Sequence, residues 1–150
     1  MIFILFFILI LFKKDEPIVG SGVKSPVYIN MTSKKLLRNI EYDGIHHIDG
    51  TYKITHFGYP LLVYGVSDRC GHFHPVCFSI VSGETTDDFK HFYQGLINIC
   101  EQLKLNFKPE LLMQDAQKAA RAAVLEYFKD VKILMCYFHV KKNVKYLFIN

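Results

Sequence analysis

The sequence lacks the short motifs that identify several common enzyme classes. It contains no Gly-x-Ser-x-Gly nucleophile motif and no P-loop, so neither a hydrolase of that type nor a P-loop nucleotide-binding protein is indicated. It has no internal repeat and no dense block of Lys and Arg. Its net charge of +4 is compatible with a polyanionic partner but is too small to establish one.

Paired cysteines are also missing. The four cysteines are Cys70, Cys77, Cys100 and Cys136, and none belongs to a Cys-x-x-Cys pair. Three of them lie in apolar runs, where a buried free thiol is common. We therefore expect a reduced, intracellular chain without a disulfide framework.

Apolar residues, by contrast, make up 51% of the 150 residues, which is enough for the core of one domain. Residues 1–12 are uniformly apolar, but a spanning helix needs about 20 such residues. A secretory signal would offer a basic start and a small-residue cleavage site, and neither is visible. We interpret residues 1–12 as a leader that docks on the domain or is a stray translated segment; a membrane anchor is the alternative. Residues 13–43 are expected to form a linker with one short helix or strand.

From residue 44 onward, strand-like and helix-like patterns follow one another. Three β-rich runs joined by short turns predict an antiparallel meander. Thr85 and Asp88 then resemble a capping box, and apolar residues recur after them at helical spacing. The predicted elements are strands 45–55, 61–67 and 73–82, a helix from Thr85, strand 111–114, a helix over 116–129 and strand 131–137. This order, β-β-β-α-β-α-β, predicts an α/β fold with helices packed against a sheet.

Two aspartates stand at the ends of apolar, strand-like runs. Asp49 follows residues 45–48, and Asp115 follows residues 111–114. Either residue alone could simply begin a turn or cap a helix. Carboxylates on neighbouring strands can instead converge on one edge of a sheet and bind Mg²⁺ or Mn²⁺ for phosphoryl transfer. We favour this second interpretation and predict that both aspartates are catalytic metal ligands.

Three segments of the chain together resemble a known family. They are residues 49–53 (Asp-Gly-Thr-Tyr-Lys), residues 115–120 (Asp-Ala-Gln-Lys-Ala-Ala) and residues 136–139 (Cys-Tyr-Phe-His). The sequence over about residues 44–145 resembles the Mutator-like element (MULE) transposase domain. The resemblance implies a ribonuclease-H-like mixed sheet and a DDE-type transposase that cuts and joins DNA with divalent metal ions. It makes Asp49 and Asp115 the first two acids of the catalytic triad, and Cys136 and His139 the Cys-x-x-His motif of the family.

The third acid of that family is a glutamate on a helix well beyond the Cys-x-x-His motif. The sequence ends at Asn150 and offers no counterpart, while Glu126 and Asp130 belong to the second predicted helix or its end. We therefore interpret residues 44–150 as a partial MULE transposase domain whose C-terminal helix is incomplete. We expect it to be inactive by itself, because a two-metal site that lacks one carboxylate holds its metal weakly.

Cysteine and histidine form two further groups that could be read as metal sites. Cys136 and His139 supply two ligands, which do not make a zinc site. We expect these two residues to pack or to contact DNA beside the active edge. The other dense group consists of Cys70, His72, His74 and Cys77. There we expect buried cysteines and surface histidines, so zinc is not predicted as a cofactor.

Basic residues near the predicted active edge are candidates for phosphate contacts, although each could simply solvate the surface. They are Lys53, Lys118, Arg121, Lys141, Lys142 and Lys145, together with His139; the last three lysines lie on a presumed helix after the fifth strand. The resemblance implies DNA as partner, both element ends and target, and the nucleus as location; a homodimer is compatible, and no small-molecule substrate is expected. Two alternatives stay open: a non-catalytic relic or domesticated interaction module, and a small membrane-associated protein defined by its leader.

Overall fold

The computed structural model describes residues 9–10, 26–51 and 58–148 of the chain. Within these ranges it has seven strands, four α-helices and one 3₁₀ helix. The strands are β1 (Leu9–Ile10), β2 (Tyr28–Thr32), β3 (Gly44–Thr51), β4 (Leu61–Asp68), β5 (Phe73–Val81), β6 (Leu111–Gln114) and β7 (Lys132–Met135). The helices are α1 (Lys34–Leu37), α2 (Thr86–Gln102), α3 (Lys118–Tyr127) and α4 (Tyr137–Phe148), with the 3₁₀ helix η1 at Arg38–Glu41. The α/β class predicted from the sequence is confirmed.

All seven strands belong to one mixed sheet, in the order β1-β2-β5-β4-β3-β6-β7. The pairings on the β1 side of β3 are antiparallel, whereas β3, β6 and β7 run parallel. Helix α2 leads the chain to β6, and α3 leads it from β6 to β7, because parallel neighbours require a crossover connection. Strand β3 thus joins the antiparallel meander β3-β4-β5 to the parallel part of the sheet.

Residues 26–43 belong to the folded domain, which corrects the interpretation of residues 13–43 as a linker. Strand β2 pairs with β5, and the side chains of Leu37 and Ile40 are buried in the core. The N–H of Val27 donates to Ser82 Oγ, 55 positions further along the chain. A strand or helix of four or five residues is too short to show a clear hydrophobic period in the sequence. Whether such a segment forms a strand depends on pairing with a partner strand that is distant in the chain. Residues 13–25 lie outside the described residues.

The structure describes two residues of the apolar leader, Leu9 and Ile10. They form β1, which pairs antiparallel with the end of β2. Residues 1–8 and 11–12 lie outside the described part of the chain. In the parts that are described, no helix has both the length and the apolar character needed to cross a membrane.

Helix α2 begins at the capping box that the sequence predicts. Thr85 Oγ1 accepts a hydrogen bond from the N–H of Asp88, and Asp88 Oδ2 accepts from the N–H of Thr85 at 2.9 Å. The buried apolar residues of the helix are Phe89, Phe92, Tyr93, Leu96, Ile99 and Cys100. This apolar stripe fixes which face of α2 packs in the core, because its positions recur every three or four residues.

Tyr64 lies at the centre of the core. Its fully buried ring contacts those of Phe92 and Phe107, each with ring centroids 5.8 Å apart. Its hydroxyl oxygen lies at hydrogen-bond distance, 2.9 Å, from Nδ1 of the buried His46. Burial, with a smaller contribution from the neighbouring His47, lowers the pKa of His46 to about 4. His46 is therefore a neutral core residue at physiological pH and carries no charge for catalysis.

Helix α3 starts two residues later and ends two residues earlier than the predicted span of 116–129. Its buried alanines, Ala120 and Ala123, allow close packing against α2. Lys90 of α2 and Glu126 of α3 form an ion pair at 2.7 Å across the same contact. The carboxylate of Glu126 is thus used in an ion pair between the two helices.

Candidate active site

Asp49 and Asp115 are brought together by the parallel pairing of β3 and β6. Residues 46–47 of β3 pair with residues 112–113 of β6. The same register, continued for two residues, sets Asp49 opposite Asp115. Asp49 lies near the end of β3, and Asp115 directly follows β6. The convergence that the sequence suggests therefore rests on one strand pairing, between segments that are far apart in the chain.

Two adjoining clefts open at this edge of the sheet. The larger has a volume of about 350 Å³ and the smaller of about 220 Å³. Their shared walls consist of Ile48, Asp49, Gln114, Asp115 and His139. The larger cleft adds apolar side chains such as Val63, Phe73 and Met113, and the smaller adds Gly50, Glu84, Phe89, Gln117, Ala120 and Lys142. Both aspartates thus border a space large enough for a small ligand and open to solvent.

The carboxylate of Asp49 is 60% exposed. Its Oδ1 accepts a hydrogen bond from the N–H of Gly50 at 3.0 Å and lies 3.9 Å from Nε2 of His139. A carboxylate has about four acceptor positions on its two oxygens. Asp49 therefore has acceptor capacity left for a ligand in the cleft.

A short chain of hydrogen bonds connects Asp115 to Glu84. Asp115 Oδ1 accepts from the backbone N–H of Gln117 at 2.6 Å. The side-chain amide of Gln117 in turn donates to the carbonyl oxygen of Glu84 at 3.0 Å and to its Oε2 at 3.2 Å. Gln117, and not Asp115, is the N-cap residue of α3. The Asp115 turn is therefore held by the segment that precedes α2.

Gln114 is a buried polar residue on the wall of both clefts. It is 3% exposed, and its Oε1 atom is buried without a hydrogen-bond partner among the described residues. A buried carbonyl oxygen without a partner costs about 1–3 kcal/mol. This oxygen lies beside two carboxylates, where it could coordinate a bound cation or accept a hydrogen bond from the water that hydrates the cation.

Helix α4 carries the Cys-x-x-His motif to the same edge. The N–H of Cys136 donates to the carbonyl of Gln114 at 2.8 Å, which continues the parallel pairing of β6 and β7 to the start of the helix. Cys136 is half-buried and lines the larger cleft, and His139 lines both clefts. Nδ1 of His139 is buried and has no partner within the described ranges. The motif thus lies beside the aspartates; its function stays a prediction.

The candidate phosphate contacts divide by position. Lys142 of α4 lines the smaller cleft, and Lys141 and Lys145 are exposed on the same helix. Lys118 and Arg121 are exposed on α3 and do not belong to the walls of either cleft. Lys53 lies outside the described residues. Among the candidates that the structure describes, those on α4 extend the aspartate edge into a basic surface.

The second Cys/His group of the sequence, Cys70, His72, His74 and Cys77, lies at the turn between β4 and β5, and the structure separates its two cysteines. Cys77 is buried in the core as expected, but Cys70 is exposed in the turn, which corrects the expectation that both cysteines are buried. Ligand-type atoms of Asp68, Cys70 and His72 instead lie within 4.8 Å of one another. Asp68 Oδ1 accepts from the N–H groups of Cys70 and His72, and Oδ2 lies 2.9 Å from Nε2 of His74. These contacts lower the pKa of Asp68 to about 2, the bond to His74 most of all. The aspartate thus stabilises a tight turn, and all four cysteines of the chain are free.

Sequence reasoning missed three residues of the site: Glu84, Gln114 and Gln117. Gln114 and Gln117 flank Asp115 and could have been noticed for that reason. Glu84 gives no such signal, since in the sequence it stands beside a helix cap and far from both aspartates. It reaches the site because β5 ends next to β4 and α2 begins beside β3 and α3.

Comparison with known proteins agrees with this geometry. Residues 45–143 match the MULE transposase domain, which is more than half of the chain. The chain belongs to the MULE transposase domain family, as the sequence motifs predicted. Membership indicates a transposase-related function, with divalent metal ions and DNA as the ligands that such domains generally use.

One curated relative is a region of the "PKS-NRPS hybrid synthetase cheA" of Chaetomium globosum, which is 29% identical over 109 residues. The match covers 70% of this chain and 2% of that protein. Nothing of the synthetase's named activity is carried over, because the shared part is so small a share of it. No solved structure matches the chain.

Proposed function

We propose that the edge formed by Asp49 and Asp115 is the catalytic edge of a DDE transposase core, for metal-dependent cleavage and joining of DNA strands. The single observation that carries the proposal is the parallel pairing of β3 with β6, which brings the aspartates of two family segments to the walls of the same clefts. The sheet order β5-β4-β3-β6-β7, antiparallel up to β3 and parallel beyond it, supports a ribonuclease-H-like assignment.

The residues at this edge fit a hard divalent cation. Asp49 and Asp115 offer carboxylate oxygens, and Gln114 offers an amide oxygen that has no protein partner in the described structure. Mg²⁺ and Mn²⁺ prefer such oxygen ligands over thiolate or imidazole. When bound, such ions activate a water or 3′-hydroxyl and stabilise the leaving oxygen of a phosphodiester. We propose that Asp49 and Asp115 hold the ion.

The chain's own residues would orient the reacting DNA around that ion. Gln117 donates its backbone N–H to Asp115 Oδ1 and so restrains the Asp115 turn. Lys142 borders the smaller cleft and supplies a positive charge for a phosphate group. His139, on the lysine-bearing helix α4, lies 3.9 Å from Asp49, where it can contact the DNA backbone. The nucleus remains the proposed location, and a homodimer is compatible with the proposal.

The proposal leads to a specific expectation for activity. The 150 residues contain two acids that match the family motif and no match to its third glutamate. We therefore expect the chain to bind Mn²⁺ but to give no robust DNA nicking or strand transfer by itself. Turnover that Asp49→Ala abolishes would refute the expected inactivity while supporting the assignment of the site.

The first test is a calorimetric Mn²⁺ titration of the wild-type chain and of an Asp49→Asn/Asp115→Asn variant. Each amide keeps a hydrogen-bond acceptor for the neighbouring N–H group but loses the negative charge. Mn²⁺ binding that the variant loses would support the proposed site. Equal binding by both proteins, or no binding by the wild type, would refute it and favour the non-catalytic relic.

A further inference from the structure

Resting on the proposed cation site, we infer that Glu84 is its third acidic group and acts on the bound ion from the outer coordination sphere. Glu84 lies between β5 and α2, before the Cys-x-x-His motif, so it is not the family's missing glutamate. Its place at the site follows from its contacts with two residues, Gln117 and Gly50.

Glu84 is tied to both aspartates through one residue each. On the Asp115 side, Gln117 donates its backbone N–H to Asp115 and its side-chain amide to Glu84 Oε2. On the Asp49 side, a Cβ atom added to Gly50 would overlap Glu84 Oε1. Glycine at position 50 thus leaves the space that the Glu84 carboxylate occupies, one residue from Asp49.

Among the described residues that line the smaller cleft, acidic side chains outnumber basic ones. Its titratable side chains are three carboxylates, Asp49, Glu84 and Asp115, against one lysine, Lys142, and one histidine, His139. The buried Gln114 on the same wall adds an oxygen atom without a partner among described residues. An excess of acidic groups together with an unsatisfied oxygen is the donor arrangement that a divalent cation prefers.

The arrangement also shows why the role is an outer-sphere one. The three carboxylates do not gather into a compact ligand set of the kind that Asp68, Cys70 and His72 form within 4.8 Å. Glu84 instead acts by its charge and by holding Gln117, as partners of metal ligands commonly do. A unit charge several ångströms from the ion changes its affinity by about tenfold.

The test is a Mn²⁺ titration of the full chain with substitutions at position 84. Glu84→Gln keeps an oxygen that can accept the Gln117 bond and removes only the charge. Glu84→Met is a second uncharged variant of similar length, and Glu84→Asp keeps the charge. Glu101→Gln, on the exposed end of α2, is the matched control for net charge. The thermal midpoint of each variant shows whether it is folded.

We expect both uncharged variants to bind Mn²⁺ about tenfold more weakly, with Glu84→Asp and Glu101→Gln within about threefold of the wild type. Wild-type affinity in Glu84→Gln or in Glu84→Met would overturn the role of Glu84. If Asp49→Asn still loses binding in that case, the proposed function stands without Glu84. If the wild-type chain binds no Mn²⁺, the proposed site and the role of Glu84 both fail.

Discussion

Nε2 of His139 lies 3.9 Å from Oδ1 of Asp49. The two residues come from opposite ends of the matched domain, one on strand β3 and the other on α4. The contact places a side chain of the Cys-x-x-His motif directly beside the first acid of the site. It also connects the edge that carries the two aspartates to the helix that carries exposed lysines.

The contact predicts that His139 supports the site without binding its ion. We expect His139→Gln to keep Mn²⁺ affinity within about threefold of the wild type, because a hard cation prefers the carboxylate oxygens to an imidazole nitrogen. Calorimetric titration measures the affinity, with Asp49→Asn as the variant that should lose it. A decrease of tenfold or more in His139→Gln would instead make His139 a metal ligand.

The lysines of α4 should determine how the chain binds DNA. We expect Lys141→Gln/Lys142→Gln to weaken binding to a DNA duplex regardless of its sequence, since phosphate contacts carry no base information. The slope of log K against log salt should become shallower by about 0.9 for each phosphate that the variant no longer neutralises. Fluorescence anisotropy at several salt concentrations gives this slope.

The control for that experiment is Lys34→Gln/Lys35→Gln on α1, which removes the same charge from an exposed site on another element. If both double variants bind DNA equally weakly, the effect is one of net charge and α4 is not the DNA-binding surface.

The close packing of α3 against α2 depends on small side chains. Ala123 is fully buried, whereas Ala122, one position earlier, is exposed. We expect Ala123→Leu to lower the free energy of unfolding by about 1–3 kcal/mol, because the extra atoms have no space in the core. Ala122→Leu should change it by less than about 0.5 kcal/mol. Urea denaturation followed by circular dichroism measures both, and equal effects would contradict the packing described for α3.

The buried His46 should make the chain less stable in weak acid. Its pKa is lowered to about 4 in the folded protein by burial, against an ordinary value of 6.5. The unfolded chain therefore binds the proton more readily between these two values, so stability falls as the pH drops from 6.5 toward 4. The full effect is about 3 kcal/mol, and none of it is felt above pH 6.5.

The measurement is urea unfolding at pH 7.5, 5.5 and 4.5 for the wild type and His46→Gln, whose amide can still hydrogen-bond the Tyr64 hydroxyl. We expect the variant to lose less stability than the wild type between the highest and the lowest pH. His91→Gln, at an exposed position of α2, should follow the wild type. A wild-type slope in His46→Gln would mean that other groups cause the acid effect.

The amino-acid sequence alone was enough for the elements whose pattern is local. Alternation along β3 to β5, the capping box of Thr85 and Asp88, and the apolar stripe of α2 each depend on residues close together in the chain. For this reason the α/β class could be predicted, and strand 111–114 was predicted with its observed bounds. The three family motifs are likewise short runs, so reading the chain was sufficient to identify the family and to select the two aspartates, whose catalytic role stays a prediction.

Features that depend on distant partners were settled by the tertiary structure. Strand β2 is a strand because β5 pairs with it, and Glu84 belongs to the site because Gln117, 33 positions later, donates to it. The same holds for Asp68, Cys70 and His72, which a tight turn gathers while Cys77 is buried in the core. A periodic pattern indicates which face of an element is buried, but not which other element covers it. The contacts that complete the site join residues far apart in the chain, so they form only when the intervening chain is closed into a loop. Their stability depends on the packing of the rest of the sheet and not on the local sequence.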